Sequence, residues 1–466
     1  MRHAPQPVGR RAAQVRRRTF GKPPRRGFLA RFSILIAGLA AGMVSSGLLS
    51  SVTGAGEQSK TLSHVEAQTA AWALPDPRPV KSESVTVATG ATIFARLETD
   101  VSTAKSHLRS SITARVVRDV MGPEGVLIPV GAMLRGRIET LVPSSSPTDR
   151  ARLLLKFSRL EITGGKSLEL NAHLTEVENS REKVLPTGVI QGLLQSEVPV
   201  SLLQAALEKW KKANPQSGQE AESQKEKYLG KPNTAIEYAA GTDLDLTLDK
   251  PLELDEVFDP VIPGRISDAA NSAVKELLAS APQRASGKDG KPGDPLNLVI
   301  VGSEADIRET FRAAGWDIPE RETSSSLIAT VRAAASEQGY GKAPVSDLYL
   351  YGQRENLAFE KMLNTFTKRH HLRLWRSPVK TAAGREIWLG AATHDIGIDI
   401  HPGVVSHAID PNLDLERAKV GADLILSGRV GGEELVTRPN PLTDGLTATG
   451  APWRTDGRLL AIELRP

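Results

Sequence analysis

The sequence predicts an α+β protein of several domains, and three observations carry that expectation. At 466 residues the chain exceeds the roughly 100–200 residues of a single domain. Between residues 85 and 256 short β-branched runs are separated by turn signals, the texture of a β-rich barrel or sandwich. Beyond residue 294 apolar strands alternate with amphipathic helical stretches, the texture of a mixed α/β domain.

The first element is an N-terminal signal or anchor over residues 1–56. Whole-chain charge is +5, from 59 Lys and Arg against 54 Asp and Glu. Ten of the bases lie in 1–56, before the first acid at Glu57, so the remainder carries 49 bases against 54 acids, a net of −5. The excess is therefore confined to a tail, and nucleic acid is excluded as an expected partner, because a binding surface needs the excess on a folded face. Phe32–Gly56 follows without a charge, the pattern of an export signal or membrane anchor with its arginines on the cytoplasmic side. Arg25-Arg26-Gly27-Phe28-Leu29 resembles the twin-arginine export motif, which makes Arg25, Arg26, Phe28 and Leu29 the expected export residues. The membrane is thus the expected partner of residues 32–56, and the body is expected outside the cytoplasm, exported or anchored at the inner membrane, with other envelope proteins as further partners. The chain has no cysteine, which excludes disulfides, thiolate metal sites and a cysteine nucleophile.

Residues 57–84 are polar and proline-bearing and read as a linker. The β-rich domain over 85–256 is expected to carry a helical insertion over 197–240, where Leu203, Ala206, Leu207 and Trp210 recur at helical spacing. Gly90-Ala91-Thr92-Ile93, Leu127-Ile128-Pro129-Val130-Gly131-Ala132-Met133-Leu134-Arg135-Gly136 and Gly241-Thr242-Asp243-Leu244 resemble the β-barrel domain of the outer-ring channel proteins of type IV secretion and conjugation. That resemblance implies a fold class.

Residues 257–293 read as a second linker with a short helix at 267–281 and a Gly/Lys/Asp-rich stretch after it. The mixed domain follows over 294–435: a strand at 296–301, helices at 304–314, 324–336 and 356–368, and a strand at 348–351. Residues 436–466, with four prolines, read as a loosely ordered tail.

Chemistry-bearing residues concentrate at 370–417, which hold five of the nine histidines. His371, Arg373 and Trp375 share one face of an expected strand, and a return strand is expected to set Trp375 opposite Trp388 with His371 and His394 at the far end. In 394–401, Asp395, Asp399 and His401 share a face between isoleucines; two carboxylates and an imidazole can hold a hard divalent cation. A helix is expected from about Asp410 or Asn412 to Ser427, its cap and first-turn acids suited to its N-terminus. His371, Arg373, His394, Asp395, His407 and Asp410 form the candidate catalytic set, with Arg373 as anion clamp and a histidine as acid or base.

The same stretch carries a second resemblance. His371-Leu372-Arg373-Leu374-Trp375, Trp388-Leu389-Gly390-Ala391-Ala392-Thr393-His394-Asp395-Ile396-Gly397 and His407-Ala408-Ile409-Asp410-Pro411, followed by Asp414, Glu416 and Arg417, resemble the LssY C-terminal domain family over about 295–435. The resemblance implies association with the bacterial envelope and no activity or cofactor. Two functions are expected: an envelope protein with a binding or scaffolding role, or, should His394, Asp395, His407 and Asp410 converge around Arg373, a hydrolase of phosphate or ester groups in envelope lipids or polymers.

Overall fold

The computed structural model describes residues 74–465 apart from 75–76, 82–83, 163–165, 199, 202–203, 205–231, 261–263, 320–346, 362–367, 402–403 and 448–449. Side chains at 81, 166, 397–401 and 404–407 are also outside the description. Expectations for the export motif (Arg25, Arg26, Phe28, Leu29), for the membrane segment 32–56, for most of the insertion and for the helix at 324–336 lie outside the described residues.

The N-terminal domain is built on β1 (Thr92–Leu97), β2 (Ser111–Val116), β3 (Met133–Val142), β4 (Arg152–Ile162), β5 (Lys166–Glu169), β6 (Ala172–Val177) and β7 (Asp243–Leu248). They pair antiparallel in the order β6-β7-β1-β2-β3-β4, and β5 returns to pair with β4. Leu170 N–H donates to the Ser158 carbonyl and Asp249 N–H to the Asn171 carbonyl. The continuous β5–β6 stretch therefore bonds to β4 at one end and to β7 at the other, so the sheet curls into a nearly closed barrel. Period-two alternation fills it: Ile93, Ala95 and Leu97, then Ile112, Ala114 and Val116, then Leu244, Leu246 and Leu248 are all buried in one core. The alternate residues Phe94, Arg96, Asp243 and Asp245 consequently face outward. The end of the expected first linker is tied down as well, since Pro79–Lys81 pairs with Val257–Phe258.

The C-terminal domain begins earlier and ends later than expected. Its elements are α1 (Asp268–Ser280), β8 (Leu298–Val301), α2 (Glu304–Ala313), β9 (Leu357–Lys361), β10 (Arg369–Lys380), β11 (Glu386–His401), β12 (Val404–Ile409), α3 (Leu413–Leu426), β13 (Val430–Thr437) and β14 (Arg458–Leu464). The sheet runs β9-β10-β11-β8-β14-β13, with β12 also on β11, and only β8 and β14 are parallel. β8 is buried on both faces and reads as an uninterrupted apolar run for that reason. Val299 and Val301 join Leu459 and Ala461 under α1 in one core. Leu298 and Ile300 join Leu460 and Ile462 in the other, with Phe311 of α2 and Val420 and Leu424 of α3.

Four expectations are corrected here. Residues 257–293 are not a linker: α1, capped by Ser267 Oγ accepting from Ala270 N–H (3.3 Å), buries Ala270, Ala273, Val274, Leu277 and Leu278, and Arg284–Ser286 pairs with Pro292–Pro295. The stretch 356–368 opens as strand β9 rather than a helix, because Leu357 and Phe359 alternate onto the core against β10. The tail 436–466 contains β14, which lies between β8 and β13; Pro439 and Pro441 sit in the loop before it, and Pro452 opens the short strand Pro452–Arg454, paired with Asp444–Leu446. Finally, the β10–β11 register pairs Trp375 with Leu389, Arg376 with Trp388 and His370 with His394. A one-residue slip reverses faces, so Trp375 and Trp388 pack in opposite cores.

Ile462 is fully buried on β14, between β8 and β13. Ile462→Ala is expected to cost about 3 kcal/mol, read as a lower denaturant midpoint at unchanged slope; a loss under about 0.5 kcal/mol, the range of surface changes, contradicts the central placement of β14.

Candidate functional site

The outer face of the barrel packs on α3 and β9 through charge. Arg96 of β1 donates to Asp243 of β7 from Nε (2.6 Å) and Nη2 (2.9 Å), and Nη2 donates to Asp423 of α3 (2.6 Å). Asp423 also accepts from Lys361 of β9 (2.9 Å), from Lys419 one turn earlier (2.8 and 2.9 Å) and from Trp316 Nε1 (3.0 Å). Lys419 reaches back to Asp243 at 2.8 Å and to Glu178 at 3.8 Å. Three cations and three carboxylates thus share one interior, half from each domain by number. The barrel supplies two carboxylates and one cation, and the C-terminal domain the converse. Burial alone would raise Asp423, but Arg96, Lys361 and Lys419 hold its carboxyl well below the usual range. Lys361 is lowered to about 8, by burial first and then by Arg96, with Asp423 opposing.

Beside this network stands a histidine pair. Register stacks the His370 and His394 rings at 4.2 Å and 18°. His370 Nδ1 lies 2.7 Å from Glu416 Oε2 of α3, and its Nε2 lies 3.3 Å from Glu178 Oε1 of the barrel. His394 Nε2 donates to Asn179 Oδ1 at 2.8 Å. Asn179 follows β6 with φ +56°, a left-handed conformation asparagine adopts more readily than most residues, and this turn aims its amide between the rings. Burial pushes His370 down, but Glu416 and Glu178 outweigh it and hold the ring up at about 10. His394 is lowered to about 4, by burial and then by the His370 charge. One ring is therefore an imidazolium and the other a neutral imidazole at neutral pH.

Among the described residues, the candidate catalytic set is split between the two faces of the sheet. His371, Arg373 and Asp395 meet on the face of the sheet opposite the histidine pair. Arg373 Nη1 donates to His371 Nδ1 (3.2 Å) and to Asp294 (3.4 Å); His371 Nε2 donates to Asp395 Oδ1 (3.0 Å), whose Oδ2 accepts from Arg369 Nε (2.9 Å). Thr393 Oγ1 lies 3.1 Å from His371 Nε2. Exposures of 7% for His371 and 1% for Thr393 and Asp395 place this hydroxyl, imidazole and carboxylate in the interior. His394 belongs to the other face. Asp410 donates its N–H to the His394 carbonyl (2.8 Å) and accepts from Asn412 N–H (2.7 Å), shaping the turn into α3. His407 lies on β12 opposite Ile398, its side chain outside the described residues. Of the expected cation ligands, Asp395 is engaged by Arg369 and His371, and Asp399 and His401 lie on β11 with side chains outside the described residues.

Sequence reasoning missed His370, Glu416, Lys419, Asp423, Arg96 and Asp243. A readable signal was present in α3, where Lys419 immediately precedes Val420 and Asp423 immediately precedes Leu424, charges placed beside the apolar stripe of a helix.

Residues 278–459 match the family model of the LssY C-terminus. That match spans α1's last turn to the start of β14, so it takes in His370, His394, Glu416, Lys419 and Asp423. The barrel residues Arg96, Glu178, Asn179 and Asp243 that meet the LssY-like domain lie outside it. No curated protein matches the sequence. Among solved structures, ComB10 of the Com type IV secretion system of Helicobacter pylori is similar over 36% of this chain and 88% of that chain, at 15% identity and a TM-score of 0.20.

Between the domains lies a cavity of ≈ 120 Å³ whose lining includes Glu176, Glu178, Asp243, Asp245, Arg118 and Lys419. Asp245 is raised to about 7, by burial first and then by Glu176 opposite it and Glu178. An unfolded carboxyl titrates near about 3.9. The folded chain therefore holds a proton between roughly 4 and 7 that the unfolded chain has lost, and stability falls as pH rises through that window. Asp245→Asn should gain about 1–2 kcal/mol at pH 8, allowing for solvent screening, and nothing near pH 4. Urea unfolding at the two pH values checks this; equal midpoints for both proteins at pH 8 contradict it.

Proposed function

We propose that this is an envelope-associated protein with a binding or scaffolding role, exported or anchored through residues 25–56, whose barrel and LssY-like domains act as one unit. The observation that supports this reading most is the use of its ionisable residues. His370, His371, His394, Arg369, Arg373, Asp395, Glu416 and Asp423 are divided between two faces of a sheet and engaged by protein partners, several across the domain boundary. Catalysis requires reactive groups that converge where substrate and solvent enter; His371, Thr393 and Asp395 are instead enclosed. The N-terminal charge pattern supports the address and the membrane contact of residues 32–56, and the net of −5 on the remainder weighs against nucleic acid.

The test is cell fractionation of the full chain and of an Arg25→Lys, Arg26→Lys double variant. The full chain is expected in the envelope fraction and the double variant in the cytoplasm; cytoplasmic wild-type protein overturns the address. Incubation of purified protein with phospholipid and phosphate-ester substrates tests the role. No release above a His371→Ala control is expected, and release that this substitution abolishes replaces scaffolding with hydrolysis.

A further inference from the structure

The histidine pair has the composition of a metal centre. One ligand atom each from His370, His394 and Glu416 lies within 4.8 Å of the other two, and the three residues come from β10, β11 and α3, elements fixed by two cores. Two imidazoles and one carboxylate form a donor set suited to zinc and neighbouring divalent ions. A second observation is independent of that proximity. Glu416 is 3% exposed, its Oε2 is taken by His370, and its Oε1 is buried with no hydrogen-bond partner. An unsatisfied carboxylate oxygen in the interior is costly, and a cation supplies the partner it lacks. The barrel meets the other side of the pair: Glu178 Oε1 stands 3.3 Å from His370 Nε2, the ring nitrogen opposite Glu416, and Asn179 reaches both rings.

We infer that His370, His394 and Glu416 bind one divalent transition-metal ion, of the zinc type, at the junction of the barrel and the LssY-like domain. Two imidazoles coordinate one ion through ring nitrogens that point at it, so the near-parallel rings open from their stack on loading. Glu416 then offers both oxygens, the His370 ring gives up one proton to solvent as it binds the ion, and Glu178 orients that ring from the barrel through its other nitrogen. The ion is a clamp between domains, and its loading raises the stability of the assembled chain by mass action.

The experiment takes the full-length chain, stripped with chelator, titrated with zinc and passed over a desalting column. One equivalent of retained zinc and a higher thermal midpoint are expected. His394→Gln and Glu416→Gln should each weaken retention roughly tenfold or more and remove the rise in midpoint, while His173→Gln, a surface histidine of the barrel, should leave both unchanged. No retained zinc, or retention equal in all four proteins, overturns the inference. Should the two ligand variants fail to fold, cobalt loading of the unmodified chain decides. Visible ligand-field absorption displaced by one equivalent of zinc upholds the site, and its absence overturns it.

Discussion

The rest of this structure depends on Asp423. Its carboxylate sits on α3 with 1% exposure and is bonded to Arg96 from the barrel and to Lys361, Lys419 and Trp316 from its own domain. An ion taken from water at this depth is several kcal/mol unfavourable unless its partners are in place. The partners come from both domains, so the charges are compensated only when the barrel is docked. The apolar contact beside them is small, formed by Val117 and Val130 of the barrel and Leu426 of α3. Directional charge therefore sets how the domains sit, with apolar packing holding each domain internally. The same docking brings Glu178 and Asn179 to the histidine pair, so the barrel's contribution to the candidate metal site is a consequence of the ionic network.

Much of the fold was legible because period-two and helical patterns are local. The barrel strands, β8, the β10–β11 hairpin and the helices α2 and α3 follow from alternation, from the capping pair Ser303 and Asp306, and from the acids Asp414 and Glu416 in the first turn of α3, whose Asn412 side chain makes no capping bond. What escaped depended on partners distant in sequence. β14 is seven residues behind a proline-bearing stretch, and only its place between β8 and β13 makes it central. Leu357–Lys361 is too short for its period to separate strand from helix, and pairing with β10 decides it.

The candidate site was legible in address and not in partnership. Concentration of histidines at 370–407 pointed to the correct hairpin, but a register wrong by one residue selected His371 in place of His370 as the neighbour of His394. Adjacent strand residues face opposite ways, so that slip exchanged an enclosed Arg-His-Asp chain for the interdomain pair. Arg96 and Asp243 were hidden for a related reason. An outward charge on a barrel strand has the sequence appearance of a solvated residue, and 327 positions separate Arg96 from the aspartate it bonds.

That two domains are locked through buried charge is the central claim, and a double-mutant cycle between Arg96 and Asp423 tests it most directly. Unfolding free energies of the wild type, Arg96→Met, Asp423→Asn and the double variant give the coupling. The account predicts a single unfolding transition and a coupling of at least about 1.5 kcal/mol, the lower end measured for close charge pairs across interfaces. Single-variant losses that add to within about 0.5 kcal/mol would show that Arg96 and Asp423 contribute independently, and would contradict it.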